Sequence, residues 1–251
     1  MMYPFPRYKP LNVALFLSTF DIENSLLEIT LKLSFILRVV STFRVSKIYW
    51  IEDSSKSKKL KNIVNDLTKY MLLPPYLKKY ISINPHLRKV GMASPLNIPL
   101  HAVSRSGIEG EIRLGYKGDF GIINAKKLNT NYNSILILDS LNLDYIPYRN
   151  LYYNGVKMDF VKLEKILKLD NLIIASRSGK NPVKNVQEII NLYKKSGITL
   201  LIGPPKGNLL YKLGEKYLTK SYNFAINQGV SDIRVEEALA YSLSILNILL
   251  S

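Results

Sequence analysis

Residues 198–208 read Ile198-Thr-Leu-Leu-Ile-Gly203-Pro204-Pro205-Lys206-Gly207-Asn208. The apolar run is a buried strand, and it stops at a Gly-Pro-Pro-Lys-Gly loop. A short helix is predicted over 208–217. Next comes a tight Asn227-Gln228-Gly229 loop, and a final helix over 235–249. Upstream, Asn171-Leu-Ile-Ile-Ala-Ser176 reads as a second strand, with Arg177-Ser-Gly179 as its exit loop. Pro182 suits a first helical turn, the helix runs over 183–195, and Ser196-Gly197 is its C-cap. The order strand, helix, strand, helix implies a parallel sheet covered by helices.

The N-terminal part repeats this order. Leu11-Asn-Val-Ala-Leu-Phe-Leu-Ser18 is strand-like, Asp21 is placed as an N-cap, and a helix is predicted over 22–43. Lys47-Ile-Tyr-Trp-Ile-Glu52 is a second strand, and a helix over 58–71 ends at Pro74-Pro75. The pattern breaks near Asn84. From Gly107 onward, glycines punctuate short β-type runs: Glu111-Ile-Arg-Leu, Phe120-Gly-Ile-Ile and Ser134-Ile-Leu-Ile-Leu-Asp139. Turns at that spacing point to an antiparallel, barrel-like insertion. The expected organisation is therefore one α/β domain formed by 1–83 and 171–251, with a small β-barrel over 84–170.

The barrel segment carries Arg105, Arg113, Lys117, Lys126, Lys127 and Arg149. Among them stand Tyr116, Phe120, Tyr132, Tyr148, Tyr152 and Tyr153. Basic and aromatic residues interleaved on a small barrel suit single-stranded nucleic acid, through phosphate contacts and base stacking. Taken singly, each tyrosine reads as half-buried core. The whole chain has 35 Lys and Arg against 19 Asp and Glu, a formal net charge of +16. That excess favours a polyanionic partner, nucleic acid above all.

Several chemistries are excluded. With no cysteine, there is no disulfide, thiolate zinc site, iron–sulfur cluster or cysteine nucleophile. His86 and His101 alone do not make a metal site, so no metal is expected. The most apolar stretch, 26–45, is interrupted by Glu28, Lys32, Arg38 and Arg44. No membrane span is expected, and the chain reads as cytoplasmic.

The glycine loop is not a P-loop. Only three residues separate Gly203 from Gly207, Lys206 precedes the second glycine, and Asn208 follows it. No Gly-x-Gly occurs anywhere, which counts against a dinucleotide fingerprint and against the common methyltransferase fold. What remains is a site built by three loops at the carboxyl ends of neighbouring strands: 176–179, 203–207 and 226–229. Small residues there let backbone approach a flat ring closely. Alone, Gly203-Pro-Pro reads first as a rigid strand-to-helix turn with no ligand.

Four segments together resemble the SPOUT class of methyltransferases. They are His86-Leu-Arg-Lys-Val-Gly91-Met-Ala-Ser-Pro95-Leu, Ala175-Ser-Arg177-Ser-Gly179, Leu201-Ile-Gly203-Pro-Pro-Lys-Gly207, and Asn227-Gln-Gly229 through Arg234-Val-Glu236-Glu237-Ala238. Within that class, the chain is similar to archaeal and eukaryotic RNA methyltransferases with a barrel inserted in the catalytic domain. The resemblance implies a SPOUT-type parallel sheet with a C-terminal trefoil knot, an inserted OB-like barrel, a homodimer, and S-adenosylmethionine as cofactor. It implies that Arg177, Gly203, Asn227 and Gln228 lie on the cofactor, with Ser176, Pro204, Gly207, Ile226, Gly229 and Ile233 lining the rest. The loop Val230-Ser231-Asp232 is poorer in Ser, Thr and Arg than the family's usual loop.

Two functions follow as expectations. One is an S-adenosylmethionine-dependent methyltransferase acting on a base in ribosomal or another structured RNA. The other is an RNA-binding ribosome-assembly factor that keeps the fold without the chemistry. Methylation of protein or DNA is a weaker third reading. A ring nitrogen that attacks a methyl group must shed its proton, so a cation and a base are sought. Arg234 and Arg177 are the candidates for anion contact, and Asp232 and Glu236 for the base. Glu236 and Glu237 read first as favourable charge in the first turn of the last helix.

Overall fold

The computed structural model describes residues 4–101, 103–123, 132–149, 151–205 and 209–251. Two sheets organise it. The larger has six parallel strands, β1 (Leu11–Phe16), β2 (Lys47–Ile51), β6 (Lys157–Val161), β7 (Leu172–Lys180), β8 (Ile198–Ile202) and β9 (Ser221–Tyr222). They lie side by side in the order β6-β2-β1-β8-β7-β9. The smaller is antiparallel, in the order β3 (Ile112–Leu114), β4 (Ser134–Asp139), β5 (Asp144–Pro147). The helices are α1 (Leu26–Thr42), α2 (Ser57–Leu72), α3 (Leu163–Leu167), α4 (Val186–Ser196), α5 (Leu209–Leu213) and α6 (Val235–Leu249).

Period-two alternation decides which helices meet which face. Leu11, Val13 and Leu15 of β1 join Ile48, Trp50, Leu200 and residues of α1, α2, α4 and α6 in one core. Ala14 and Phe16 point the other way, toward Ile51, Ile174, Leu201 and the side of α3 and α5. Strands buried on both faces need apolar residues throughout, which is why β1 and β8 read as continuous hydrophobic runs.

The helix after β1 starts later than the sequence pattern predicts. Leu17–Phe20 forms a 3-10 turn, and α1 begins at Leu26. Ser25, not Asp21, is the N-cap. Its hydroxyl accepts from Glu28 N (3.2 Å), while the Glu28 carboxylate accepts from Asn24 N (2.7 Å). This reciprocal arrangement satisfies two amide donors, and Asp21 offers no comparable pair.

In the insertion, the structure shows a small antiparallel sheet. Between residues 107 and 149, the described residues form three strands of one sheet, and Phe120-Gly-Ile-Ile is not a strand. A tight turn, with reciprocal 3.0 Å hydrogen bonds between Tyr116 and Asp119, folds the chain back at that point. Phe120 then covers Gly115, where a Cβ would stand 2.3 Å from the ring. The parallel sheet reaches into the 84–170 stretch, since Lys157–Val161 pairs with β2 as its edge strand.

The small sheet is attached at one end of the large one. α2 starts beyond the carboxyl end of β2 and descends the sheet, so Leu72 lies at the amino end. A Cβ on Gly155, two residues before β6, would meet Leu72 Cδ2 at 2.9 Å. Tyr153 donates its hydroxyl hydrogen bond to Val45 O (3.1 Å), just before β2. His101 Nε2 lies 3.2 Å from Leu72 O, and burial lowers its pKa, so the ring donates there as a neutral imidazole. The chain therefore leaves for the small sheet and returns from it at the amino end of the parallel strands. No helix among the described residues is long and apolar enough to cross a membrane.

Candidate active site

The opposite, carboxyl end of β7, β8 and β9 holds a cavity of about 570 Å³. Ile174, Ile202, Leu209, Phe224 and Val235 give it apolar walls, and Ser176, Arg177, Asn223, Gln228 and Asp232 give it polar ones. That volume is in the range of small-molecule sites. Described residues of all three predicted loops line the cavity: Ser176, Arg177 and Ser178, then Gly203, Pro204 and Pro205, and Gln228.

Each loop is shaped by local bonds. The first is not an exit loop but a bulge within β7, because both Ala175 and Lys180 register with Tyr222. Gly179 permits the bulge: a Cβ there would lie 2.5 Å from Tyr222 N. Ser178 N donates to Ser176 Oγ (3.3 Å), and Asn223 N donates to Lys180 O (2.8 Å). Burial, then the nearby Glu188 charge, raises the Tyr222 pKa, so this phenol beneath the bulge stays protonated.

The third loop is tied to the first. Arg177 Nη1 donates to Ser231 O (3.1 Å), and Gln228 Nε2 donates to Val230 O (2.8 Å) and Ser231 O (3.2 Å). Asn223 joins them, donating from Nδ2 to Arg177 O (3.0 Å) and accepting from Ala225 N (3.0 Å). Asn227 adopts φ +58°, a left-handed conformation that asparagine tolerates better than most residues. Arg177 and Gln228 therefore hold the loop over the cavity through their side chains.

The predicted residues divide accordingly. Ser176, Arg177, Gly203, Pro204, Gln228, Ile233 and Asp232 line the cavity, whereas Ile226, Asn227 and Gly229 shape the loop beside it. Gly207 lies outside the described residues. Asn223, Phe224, Tyr211, Tyr241 and Ser242 also line it and were not among the predicted residues. One signal was available: Val235, Ala238 and Ser242 recur at helical spacing on α6, so a single helix face borders the cavity.

The candidates for acid–base work separate too. Asp232 is exposed at the cavity. Arg234 is the residue before α6 and is not among the lining residues. Its backbone N donates to Glu237 Oε2 (3.0 Å), so Glu237 caps the helix. Glu236 faces away toward α1, within 3.5 Å of the buried Lys32 ammonium, which also contacts Glu23 (2.8 Å) and Thr19 O (3.1 Å). Glu236 is thereby removed from the list of bases.

Of the basic residues predicted to meet RNA, Arg105, Lys117 and Arg149 are exposed. Lys126 and Lys127 lie outside the described residues. Arg113 is corrected outright: it is fully buried, paired to Glu111 (2.7 Å) and donating to Ser104 O (2.6 Å). A short strand gave no sign of which face would be covered, and Tyr76 covers this one, its ring centroid 5.5 Å from the guanidinium. No group of three or more His, Asp or Glu suited to a metal ion occurs among the described residues.

Residues 11–127 match a protein-family model described as "Putative RNA methyltransferase". No curated protein matches the chain. The match covers just under half of the chain, from β1 through the first strand of the small sheet, and ends before the first cavity residue. It supports a relation to RNA methyltransferases.

Proposed function

We propose that the chain is an S-adenosylmethionine-dependent RNA methyltransferase acting on a base in ribosomal or another structured RNA. The observation that carries this reading is the cavity where three loops meet at the carboxyl ends of β7, β8 and β9. Ligands of open α/β sheets bind outside that end. The residues fit the cofactor. Among the described residues, a Cβ on Gly203 would meet nothing closer than Leu209 at 3.5 Å. Among the described residues, no contact demands glycine at this cavity-lining position, and the open space there supports a bound ligand.

When bound, S-adenosylmethionine supplies a methyl group activated by a sulfonium. The chain supplies the setting. Ile174, Ile202 and Val235 exclude water, while Arg177 and Gln228 hold the 228–232 loop. Asp232, at the rim, is placed to accept the proton that a ring nitrogen sheds. The connection from β8 to β9 carries the chain from one side of β7 to the other, which supports a trefoil knot in this half. Outward Leu31 and Phe35 on α1, with Tyr241 and Ile248 on α6, are exposed apolar residues that support a homodimer. The positive charge supports an RNA partner.

The second reading, an RNA-binding assembly factor without chemistry, is favoured by the Val230-Ser231-Asp232 loop. Titration calorimetry with S-adenosylmethionine and S-adenosylhomocysteine, followed by labelled-methyl incorporation into RNA from a strain lacking the gene, tests both. Binding with incorporation is expected. Absence of cofactor binding would sink the proposal, and RNA binding without incorporation favours the second reading.

A further inference from the structure

Two tyrosines at the junction of the small sheet remain half open to solvent. Tyr80 ends the 3-10 segment Pro75–Tyr80, and Tyr116 opens the turn after β3. They are 37% and 47% exposed, with ring centroids 5.0 Å apart and planes inclined at 60°. Tyr80 lies outside the barrel segment, so the pair joins two stretches 36 residues apart in sequence.

The pair is fixed without a ligand. Tyr80 donates to Asp119 Oδ2 (2.6 Å), and Asp119 is bonded to Tyr116 in both directions across the turn. Lys117 and Gly118 at its tip have φ +51° and +78°, the positive values that a two-residue hairpin turn of the primed kind requires. Below, Tyr76 donates to Leu114 O (2.8 Å) and packs where a Cβ on Gly121 would clash at 2.2 Å. Lys79 and Lys117 stand 5.4 Å and 5.3 Å from the centroids of Tyr80 and Tyr116. Lys79 is paired with Asp119 (2.5 Å). Lys117, at the exposed tip, forms no ion pair among the described residues.

We propose that Tyr80 and Tyr116, flanked by Lys79 and Lys117, form a stacking site for an unpaired base of single-stranded RNA. Part-exposed tyrosine rings beside ammonium groups offer what a nucleotide needs, aromatic surface for the base and charge for the phosphate. The rings are held beforehand, so little ordering cost opposes stacking. A net charge of +16 favours RNA over an acidic protein surface of ordinary size. The site lies at the amino end of the parallel sheet and the cavity at its carboxyl end. α2, with 16 residues, spans that depth, on the order of 24 Å. The platform therefore grips RNA away from the nucleotide at the cavity, and a substrate must be long enough to reach both.

The proposal rests on the RNA reading, and the experiment separates the two. Fluorescence anisotropy with a mixed-sequence single-stranded RNA compares the wild type, a Tyr80→Leu/Tyr116→Leu variant and a Tyr80→Phe/Tyr116→Phe variant. The leucine variant is expected to bind about tenfold more weakly. The phenylalanine variant, which keeps the rings but loses the Asp119 bond, should stay within about twofold of wild type. Photocrosslinking of 4-thiouridine RNA to the wild type, mapped by mass spectrometry, should mark peptides containing Tyr80 or Tyr116; this readout stands if the leucine variant misfolds. Leucine-variant binding equal to wild type, or crosslinks confined to other surfaces, overturns the platform alone. A wild type that binds no RNA overturns the platform and the RNA reading together.

Discussion

The two ends of one parallel sheet differ in chemistry. At the carboxyl end, Ile174, Ile202, Leu209, Phe224 and Val235 wall a cavity whose described polar lining includes Ser176, Asn223 and Gln228, with Arg177 and Asp232 as the charged residues. At the amino end, the small sheet is pinned by ionic and phenolic contacts: Arg113–Glu111, Lys79–Asp119, Tyr76 to Leu114 O and Tyr80 to Asp119. A concave pocket with mixed apolar and polar walls suits a small cofactor, whereas charge and exposed rings suit a nucleic acid. The family match falls on the half that carries the second surface and stops short of the first.

The largest effect should come from the buried ion pair. Arg113→Met leaves the Glu111 carboxylate buried without its partner, and loss of one member of such a pair costs about 3–5 kcal/mol. Amide hydrogen exchange should show the small sheet opening while the strands around Trp50 stay protected and cofactor binding stays unchanged. Unfolding of both sheets together would break the comparison, because the two ends would then be one cooperative unit.

The reciprocal change fills the cavity. Gly203→Leu places a branched side chain where, among the described residues, only Leu209 is near, so the side chain is expected to occupy the ligand space rather than disrupt the fold. Calorimetry should record a loss in S-adenosylmethionine affinity on the order of 100-fold, about 2.7 kcal/mol, with RNA binding and thermal midpoint little changed. Affinity within threefold of wild type would remove Gly203 from the site.

How much of this was legible beforehand follows the physics of each region. The strands β1, β2, β7 and β8 announced themselves because burial on both faces demands uninterrupted apolar runs, and two of the three loops followed from where those runs stop. The bulge in β7 was not legible, since Ser176 to Gly179 look like a loop whether or not the strand resumes at Lys180. Asn223 escaped because its role depends on Arg177, 46 residues earlier, being brought alongside by β9. Arg113 misled because a basic residue between Ile112 and Leu114 reads as solvent-facing. Only the tertiary cover of Tyr76 and the partner Glu111 reverse its face.

Acid should separate the two ends more gently. Burial raises the Glu111 pKa, but hydrogen bonds from Ser104 and the Arg113 charge outweigh it, leaving the group below its ordinary 4.5. Asp119 is likewise lowered from 3.8, burial again being outweighed, here by Lys79, Tyr80 and Gly121. A carboxylate with a lowered folded pKa stabilises the fold fully above its unfolded value and loses that contribution as pH falls through the folded value. Below about 4.5, methyl NMR signals of Ile112 and Ile135 should therefore lose dispersion before Trp50 fluorescence reports any change in the parallel sheet. Simultaneous loss of the two signals would contradict the assignment of these carboxylates as the pins of one end.

The smallest expected effect sits at the cavity's edge and sharpens the distinction between shaping a site and acting in it. Glu237 accepts from Arg234 N at 3.0 Å at the start of α6. Glu237→Gln keeps a side-chain acceptor but gives up the charge that favours a helix N-terminus, a change worth about 0.3–1 kcal/mol. Thermal stability should fall slightly. Since α6 presents Val235, Ala238 and Ser242 to the cavity, a loosened first turn should raise the dissociation constant for S-adenosylmethionine by no more than about fivefold. With cofactor saturating, the turnover rate should match wild type and its pH profile should not move. A shifted pH profile at saturation would instead place Glu237 in the proton path and return the last helix's carboxylates to the chemistry.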